Sequence, residues 1–274
     1  LFSSWRASIF FSGIPPSPLW VSAVHHHHHG GTFCLSILRA DRAMKSDAFY
    51  AALEEEILAH PVFQQGFTRR IAEVPELPLA QARRFALAYY PHILHTRRYQ
   101  AHALGLAEDE RVQAALASIL ADEYGHGEAS RTHMEMYRHF LRGVGVPEDE
   151  IAQGGLIFPE LRLYIDAMMR LTTQGDWLEA AAATGIAMEW PIPYMYRQFL
   201  EGLRRIPGIE EAALILFTEH IVVDVEHTRL MKEALRPYAE TSEGQVRLLA
   251  GTRYNLDARW VMMQGLERLV FAKE

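Results

Sequence analysis

After Met44, apolar residues recur at three- and four-residue spacing almost without interruption, and no stretch alternates apolar with polar residues as a strand would. That pattern leaves few folds open. An amphipathic helix must bury its apolar stripe, and with no sheet available it can do so only against other helices. Prolines and glycines punctuate the pattern into helices expected at about 47–59 with a continuation to 72, then 79–104, 108–123, 128–142, 159–173, 176–205, 210–235 and 242 to the end. Seven to eight helices with short connectors, no βαβ spacing, no internal repeat and no low-complexity linker read as one all-α domain over residues 44–274.

Residues 1–43 are read separately. They hold Pro15, Pro16 and Pro18, a histidine run from His25 to His29, and Gly30-Gly31, with neither helical nor strand periodicity. The segment reads as a leader, tag-like or disordered extension; a secretory signal is the alternative, although the apolar stretch 19–24 is short and broken by prolines.

Composition narrows the chemistry. The net charge of −7 leaves no basic footprint for nucleic acid, and no apolar run is long enough to span a membrane. The one cysteine, Cys34, lies in the leader, so the domain has no disulfide, thiolate metal site or cysteine nucleophile. A cytoplasmic location is expected, and any metal here must take nitrogen and oxygen ligands.

The sharpest local feature is His220-x-x-x-Asp224-x-x-His227. At ~100° per residue the three side chains fall within about 60° of arc on one helix face. Val222, Val223 and Val225 are interleaved, which suggests burial on several sides. Two imidazoles and a carboxylate buried together need a partner; a divalent metal serves, and so does a His–Asp hydrogen bond within the core. A second feature is Asp122-Glu123-Tyr124-Gly125-His126-Gly127 with His133 beyond it. Glu123 closes a helix, the glycines let the chain bend, and His133 returns toward Glu123; Glu123-x-x-His126 also has the i, i+3 spacing of di-iron bundles. An exposed acidic turn, with Asp122, Glu128 and Glu135 solvated, is the other reading. The third feature is Glu189, a lone carboxylate in an apolar helix before Pro191 and Pro193, which calls for a metal or a salt-bridge partner.

Glu123, His133, Glu189, His220, Asp224 and His227 together make three carboxylates and three imidazoles, a set suited to two iron or manganese ions. Taken with the tail Leu256-Asp257-Ala258-Arg259-Trp260, these marks resemble the haem-oxygenase-like di-iron oxidases and oxygenases, whose fold is shared with TenA-like and pyrroloquinoline-quinone-synthase-like proteins. The resemblance covers most of the chain from Met44. It implies a haem-oxygenase-like bundle in which those six residues bind two irons (or manganese, or a mixed pair), with His126 the substitute for His133. It also implies O2 as co-substrate, an amine, amino acid or fatty acid as substrate, and N-oxygenation or C–C cleavage among the outcomes. The ten-residue step from Glu123 to His133 is closer to the N-oxygenating members. Electrons come from an external reductant, since no flavin or nicotinamide fingerprint occurs. Dimerisation is a family-level expectation, and Glu189 is the candidate bridge.

The helix at 79–104 has no acidic residue yet carries Tyr89, His92, His95, Arg97 and Arg98. Tyr89, His92 and His95, with Arg259, are candidate pocket residues; a basic solvated face with aromatic core residues is the plainer alternative. Other functions on the same architecture are a thiaminase-like hydrolase, which needs the missing cysteine, and a haem-degrading enzyme, for which His60 before Pro61 is a poor axial ligand. A metal-free pyrroloquinoline-quinone-synthase-like oxidase and a non-catalytic ligand-binding bundle need no convergence of the six residues.

Overall fold

A computed structural model describes residues 43–272; nearly all of the leader, including Cys34 and the histidine run, lies outside the described residues. The helices are α1 (Ser46–Ala59), α2 (Pro61–Gln64), α3 (Gly66–Glu73), α4 (Leu79–Leu106), α5 (Glu110–Glu123), α6 (His133–Gly143), α7 (Glu148–Ala152), α8 (Pro159–Gln174), α9 (Trp177–Gly185), α10 (Ile192–Leu203), α11 (Ile215–Ala234), α12 (Arg236–Ala239) and α13 (Ser242–Val270). Short 3₁₀ turns occupy Gly125–Gly127, Ala129–Arg131 and Glu211–Leu214. The architecture is all-α, but the seven to eight helices expected become thirteen segments among the described residues. The apolar period runs on through a break, so periodicity alone merges helices that the backbone separates. The stretch read as one helix over 176–205 is two, α9 and α10, and the chain between 128 and 132 is 3₁₀ turn and loop rather than α-helix.

Local chemistry explains several boundaries. The Asp176 carboxylate accepts from the N–H groups of Leu178 and Glu179 and starts α9. His60 ends α1 and its ring accepts from Val62 N–H to start α2. Pro91 lies inside α4 and leaves the Leu87 carbonyl without its helical donor; Leu156 N–H supplies one at 2.8 Å, so the helix continues past the proline.

The long helices α4 and α13 pack against each other and clamp α8 and α9, while α10 and α11 pair on the far side with α3, α5 and α6 around them. Helix α9 is buried all round, from Ala180 to Thr184. At Gly251 of α13 the Glu179 backbone occupies the space a Cβ would need, which is how α9 approaches so closely. An aromatic core of Phe67, Phe85, Phe140, Phe199 and Phe217 fills one end of the bundle, with centroid separations of 5.3 to 6.5 Å. The polar residues described next sit beyond it. No helix among the described residues is long and apolar enough to cross a membrane.

Candidate metal centre

Two groups of three side chains converge at the middle of α11. In the first, Glu123 from the end of α5 and His133 from the start of α6 meet His220. In the second, Glu189 from the turn between α9 and α10 meets Asp224 and His227. Within each group one donor atom per residue lies within 4.8 Å of the others. Glu123, His133, Glu189, His220 and Asp224 all border one cavity of about 30 Å³.

Backbone turns bring the first group together. Gly125 sits at φ +60°, and a Cβ there would lie 2.7 Å from the Arg131 carbonyl carbon, so only glycine lets the chain double back. Thr132 then caps α6, and His133 Nδ1 comes to 3.1 Å from Glu123 Oε1. His220 donates from Nδ1 to the Leu216 carbonyl at 2.7 Å, which leaves Nε2 with its lone pair for a ligand. Burial pushes the Glu123 carboxyl up, but the neighbouring His133 outweighs it, with help from His220 and His227, and holds it at about 2. Burial drives His220 down to about 3, keeping it a neutral donor.

The second group depends on a wide turn. Ala187 N–H reaches back five residues to Ala182 O, and the helix ends with Glu189 turned inward. Gln100 of α4 donates to Glu189 Oε1 at 2.7 Å. His227 Nδ1 faces Glu189 Oε2 at 3.0 Å and Asp224 Oδ1 at 3.3 Å, while its Nε2–H donates to Asp122 Oδ2 at 2.7 Å. A carboxylate behind an imidazole fixes the tautomer and ring orientation of a metal-binding histidine. Burial would lower the His227 pKa; Asp224, Glu189 and Asp122 together raise it to about 11. Asp224 is 1% exposed, and burial followed by the nearby Glu189 charge pushes its carboxyl well above the usual range.

These residues fit a metal. Both Asp224 oxygens are buried and accept no hydrogen bond, with His227 Nδ1 3.3 Å from Oδ1 as their ion-pair neighbour, and buried His133 Nδ1 makes no hydrogen bond although Glu123 lies 3.1 Å away. Unmatched buried acceptors are costly, and a cation in each group would satisfy them. The donors are all nitrogen and oxygen, as iron and manganese prefer.

The other residues singled out in the sequence fall elsewhere. His126, at φ 50° and 61% exposed in its side chain, turns away and pairs with Asp122 at 2.6 Å. His92 and Arg259 border the cavity. Tyr89 lies behind them, stacked on Phe85, and His95 donates to the Pro91 carbonyl. Neither His92 nor His95 joins either group. Two sequence inferences need correction. Val222 and Val225 are 70% and 59% exposed, because only one face of α11 is inward. Asp122 is no free solvated acid: it joins His227 and His126. Asp122 and Gln100 were both missed as supports. Asp122 carried a signal, since it precedes Glu123 on a helix end; Gln100 carried none, as its role depends on α4 crossing the α9–α10 turn.

Residues 83–260 match the family described as iron-containing redox enzymes. The chain belongs to that family. Its relatives include the 4-aminobenzoate synthase of Chlamydia pneumoniae, 24% identical over 208 residues, which are 76% of this chain and 90% of that protein. A pyrroloquinoline-quinone synthase of Klebsiella pneumoniae is 25% identical over 152 residues, 54% of this chain and 58% of that one. A solved domain with a haem-oxygenase-like fold from Shewanella denitrificans superposes with a TM-score of 0.62 at 14% identity, covering 79% of this chain and 91% of that one. The fold is therefore haem-oxygenase-like. The two clusters of carboxylates and imidazoles, five of whose six residues are buried, are consistent with a metal site in an iron-containing family.

Proposed function

We propose that this protein is an O2-dependent non-haem di-iron oxygenase or oxidase acting on a small amine, amino acid or fatty acid. One observation carries the reading: two separate ligand groups, one with a buried carboxylate that accepts no hydrogen bond, open onto a single cavity. A metal-free oxidase would have no use for Asp224 in that condition. Glu123, His133 and His220 would hold one ion, and Glu189, Asp224 and His227 the other.

When bound, such a metal pair supplies the electrons and coordination sites that let O2 react with a closed-shell substrate. The chain's own residues do the rest. His220 stays a neutral ligand because Leu216 holds its Nδ1–H and burial opposes its protonation. Asp122 holds a His227 proton on Nε2, so that Nδ1, hydrogen-bonded to Glu189 without metal, is the nitrogen that would give up its proton and face an ion. Gln100 orients Glu189 by donating to one of its oxygens. Ile93, Met188, Ile192 and Leu216 wall the cavity and limit water, which strengthens electrostatic interactions within it. A larger open cleft of about 680 Å³, bordered by Leu58, Trp190, Arg197 and Lys232, also reaches Asp224 and offers substrate a route inward. An external reductase or small reductant supplies the electrons.

The test is metal analysis of protein expressed with added iron, followed by anaerobic reduction and an O2 pulse under stopped flow. Roughly two irons per chain and a transient visible absorption are expected. Protein that holds no iron and gives no transient would overturn the reading.

A further inference from the structure

Beside the metal-ligand residues lies a second set of polar groups that the ligand geometry does not use. Arg259 of α13 is 1% exposed, and its Nε and Nη1 have no hydrogen-bond partner; it makes no ion pair among the described residues. Around it are further orphaned buried atoms: His92 Nδ1, Tyr89 Oη and Tyr164 Oη. The His92 ring lies 4.9 Å from that of Tyr89 and 5.2 Å from that of Tyr164. Arginine is the cation least tolerated in a core without a partner, and a structural role would require a carboxylate or carbonyls in contact with it. Among the described residues none makes an ion pair with it or accepts from its Nε or Nη1, and Arg259 borders the same cavity as five of the six candidate ligands.

We propose that Arg259 is the anchor for a carboxylate carried by the substrate, which makes the substrate class a small carboxylic acid, amino acids included. This rests on the di-iron reading above. The charge balance supports it. With Glu123, Glu189 and Asp224 set against two divalent ions, the compartment keeps one positive charge, and Arg259 adds another. An incoming monoanion relieves that surplus, whereas a free amine would add to it. The planar guanidinium suits a planar carboxylate, to which it can donate two parallel hydrogen bonds. His92 is held neutral, its pKa pushed down to about 3 first by burial and then by Arg259, so it does not compete as a cation. A cavity of about 30 Å³ has the size of a carboxylate head rather than a whole acid. A longer chain therefore needs a wall residue to move, and Met188, unbranched and flexible, is the one that yields at least cost.

The experiment measures binding to the full chain, iron-loaded under anaerobic conditions and metal-free, with acetate, hexanoate and benzoate as probes against acetamide, hexanamide and benzamide. Wild-type protein is expected to prefer each acid over its amide by roughly 10- to 100-fold, the value of a charge-assisted hydrogen-bonded pair. Arg259→Gln should erase the preference with iron content unchanged, and Arg259→Lys should restore part of it. Arg259→Met should raise the thermal midpoint by roughly 2–6 °C, because an unpaired buried charge is removed; this also guards against reading a misfolded variant as a binding defect. Equal acid binding by wild type and Arg259→Gln overturns the inference. So does loss of iron in Arg259→Gln, which would make the arginine a counter-charge to the ligands. Failure of wild-type protein to hold iron overturns the di-iron reading instead, and the acid preference of metal-free protein then still decides the role of Arg259.

Discussion

The two ligand groups share helix α11 and one cavity, yet they are held in place by different means. Glu189, Asp224 and His227 are supported by side chains from elsewhere in the fold: Gln100 on α4 bonds Glu189, and Asp122 on α5 bonds His227. Among the described residues Glu123 and His133 have no such supports. They face each other because the chain reverses between them at Gly125, and in that group only His220 has its ring pinned, by its own helix. The second group is preorganised by long-range hydrogen bonds and the first by backbone geometry. Side-chain lesions should therefore weaken the second group, and backbone lesions the first.

The largest effect is expected at the orphaned carboxylate. Asp224→Ala removes the central donor of the second group, and iron should fall from roughly two per chain to about one or fewer, with helicity by circular dichroism unchanged. The metal-free variant should melt no lower than wild type, because an unpartnered buried carboxylate has gone. Full iron occupancy in Asp224→Ala would strike that residue from the ligand set.

Gly125→Ala is the matching lesion for the first group. An L side chain at φ +60° is strained, and its Cβ would press on the Arg131 carbonyl, so a cost of about 1–3 kcal/mol is expected. Iron should drop by about one per chain. Denaturant melts together with metal analysis separate the two outcomes: a stability loss with both irons retained would mean that the Glu123–His133 contact does not depend on the turn.

Asp122→Ala leaves every proposed ligand in place and removes the hydrogen bond behind His227, together with the exposed contact to His126. Outer partners of this kind are worth roughly 10- to 100-fold in metal affinity. A chelator competition titration should show one iron lost more readily while the other keeps its wild-type affinity. Uniform weakening of both irons would show that the two groups are coupled through α11 rather than supported separately.

The same division explains how far the sequence could be read. Helical architecture and the His220–Asp224–His227 stripe are local properties of a 3.6-residue period, and a period survives in the sequence. Helix ends survive where a capping side chain or a proline marks them, as at Asp176 and His60, and vanish where only the backbone breaks, as at residues 186–190. The exposure of Val222 and Val225 was misjudged because valine suggests burial, whereas which face of α11 turns inward is decided by packing against α5, α6 and α10. Gln100 is the extreme case. It is an ordinary polar residue in its own helix, and its position beside Glu189 exists only once distant helices have crossed.

The smallest effect is expected at His126, the residue that most directly tests whether spacing or geometry chooses the ligands. It lies three residues from Glu123, the interval of di-iron bundles that made it the substitute for His133, but its backbone is in the left-handed region and its side chain is turned to Asp122 in solvent. Asparagine tolerates that backbone better than most residues and cannot replace an imidazole as a metal ligand. His126→Asn should therefore change stability by less than about 0.5 kcal/mol, since the exposed His–Asp contact is worth little in water. Iron content should stay at wild-type level, with at most a small loss of affinity at the second group because Asp122 is less firmly positioned. Loss of a whole iron would instead place His126 among the ligands, and would mean that the 125–131 turn rearranges when metal binds.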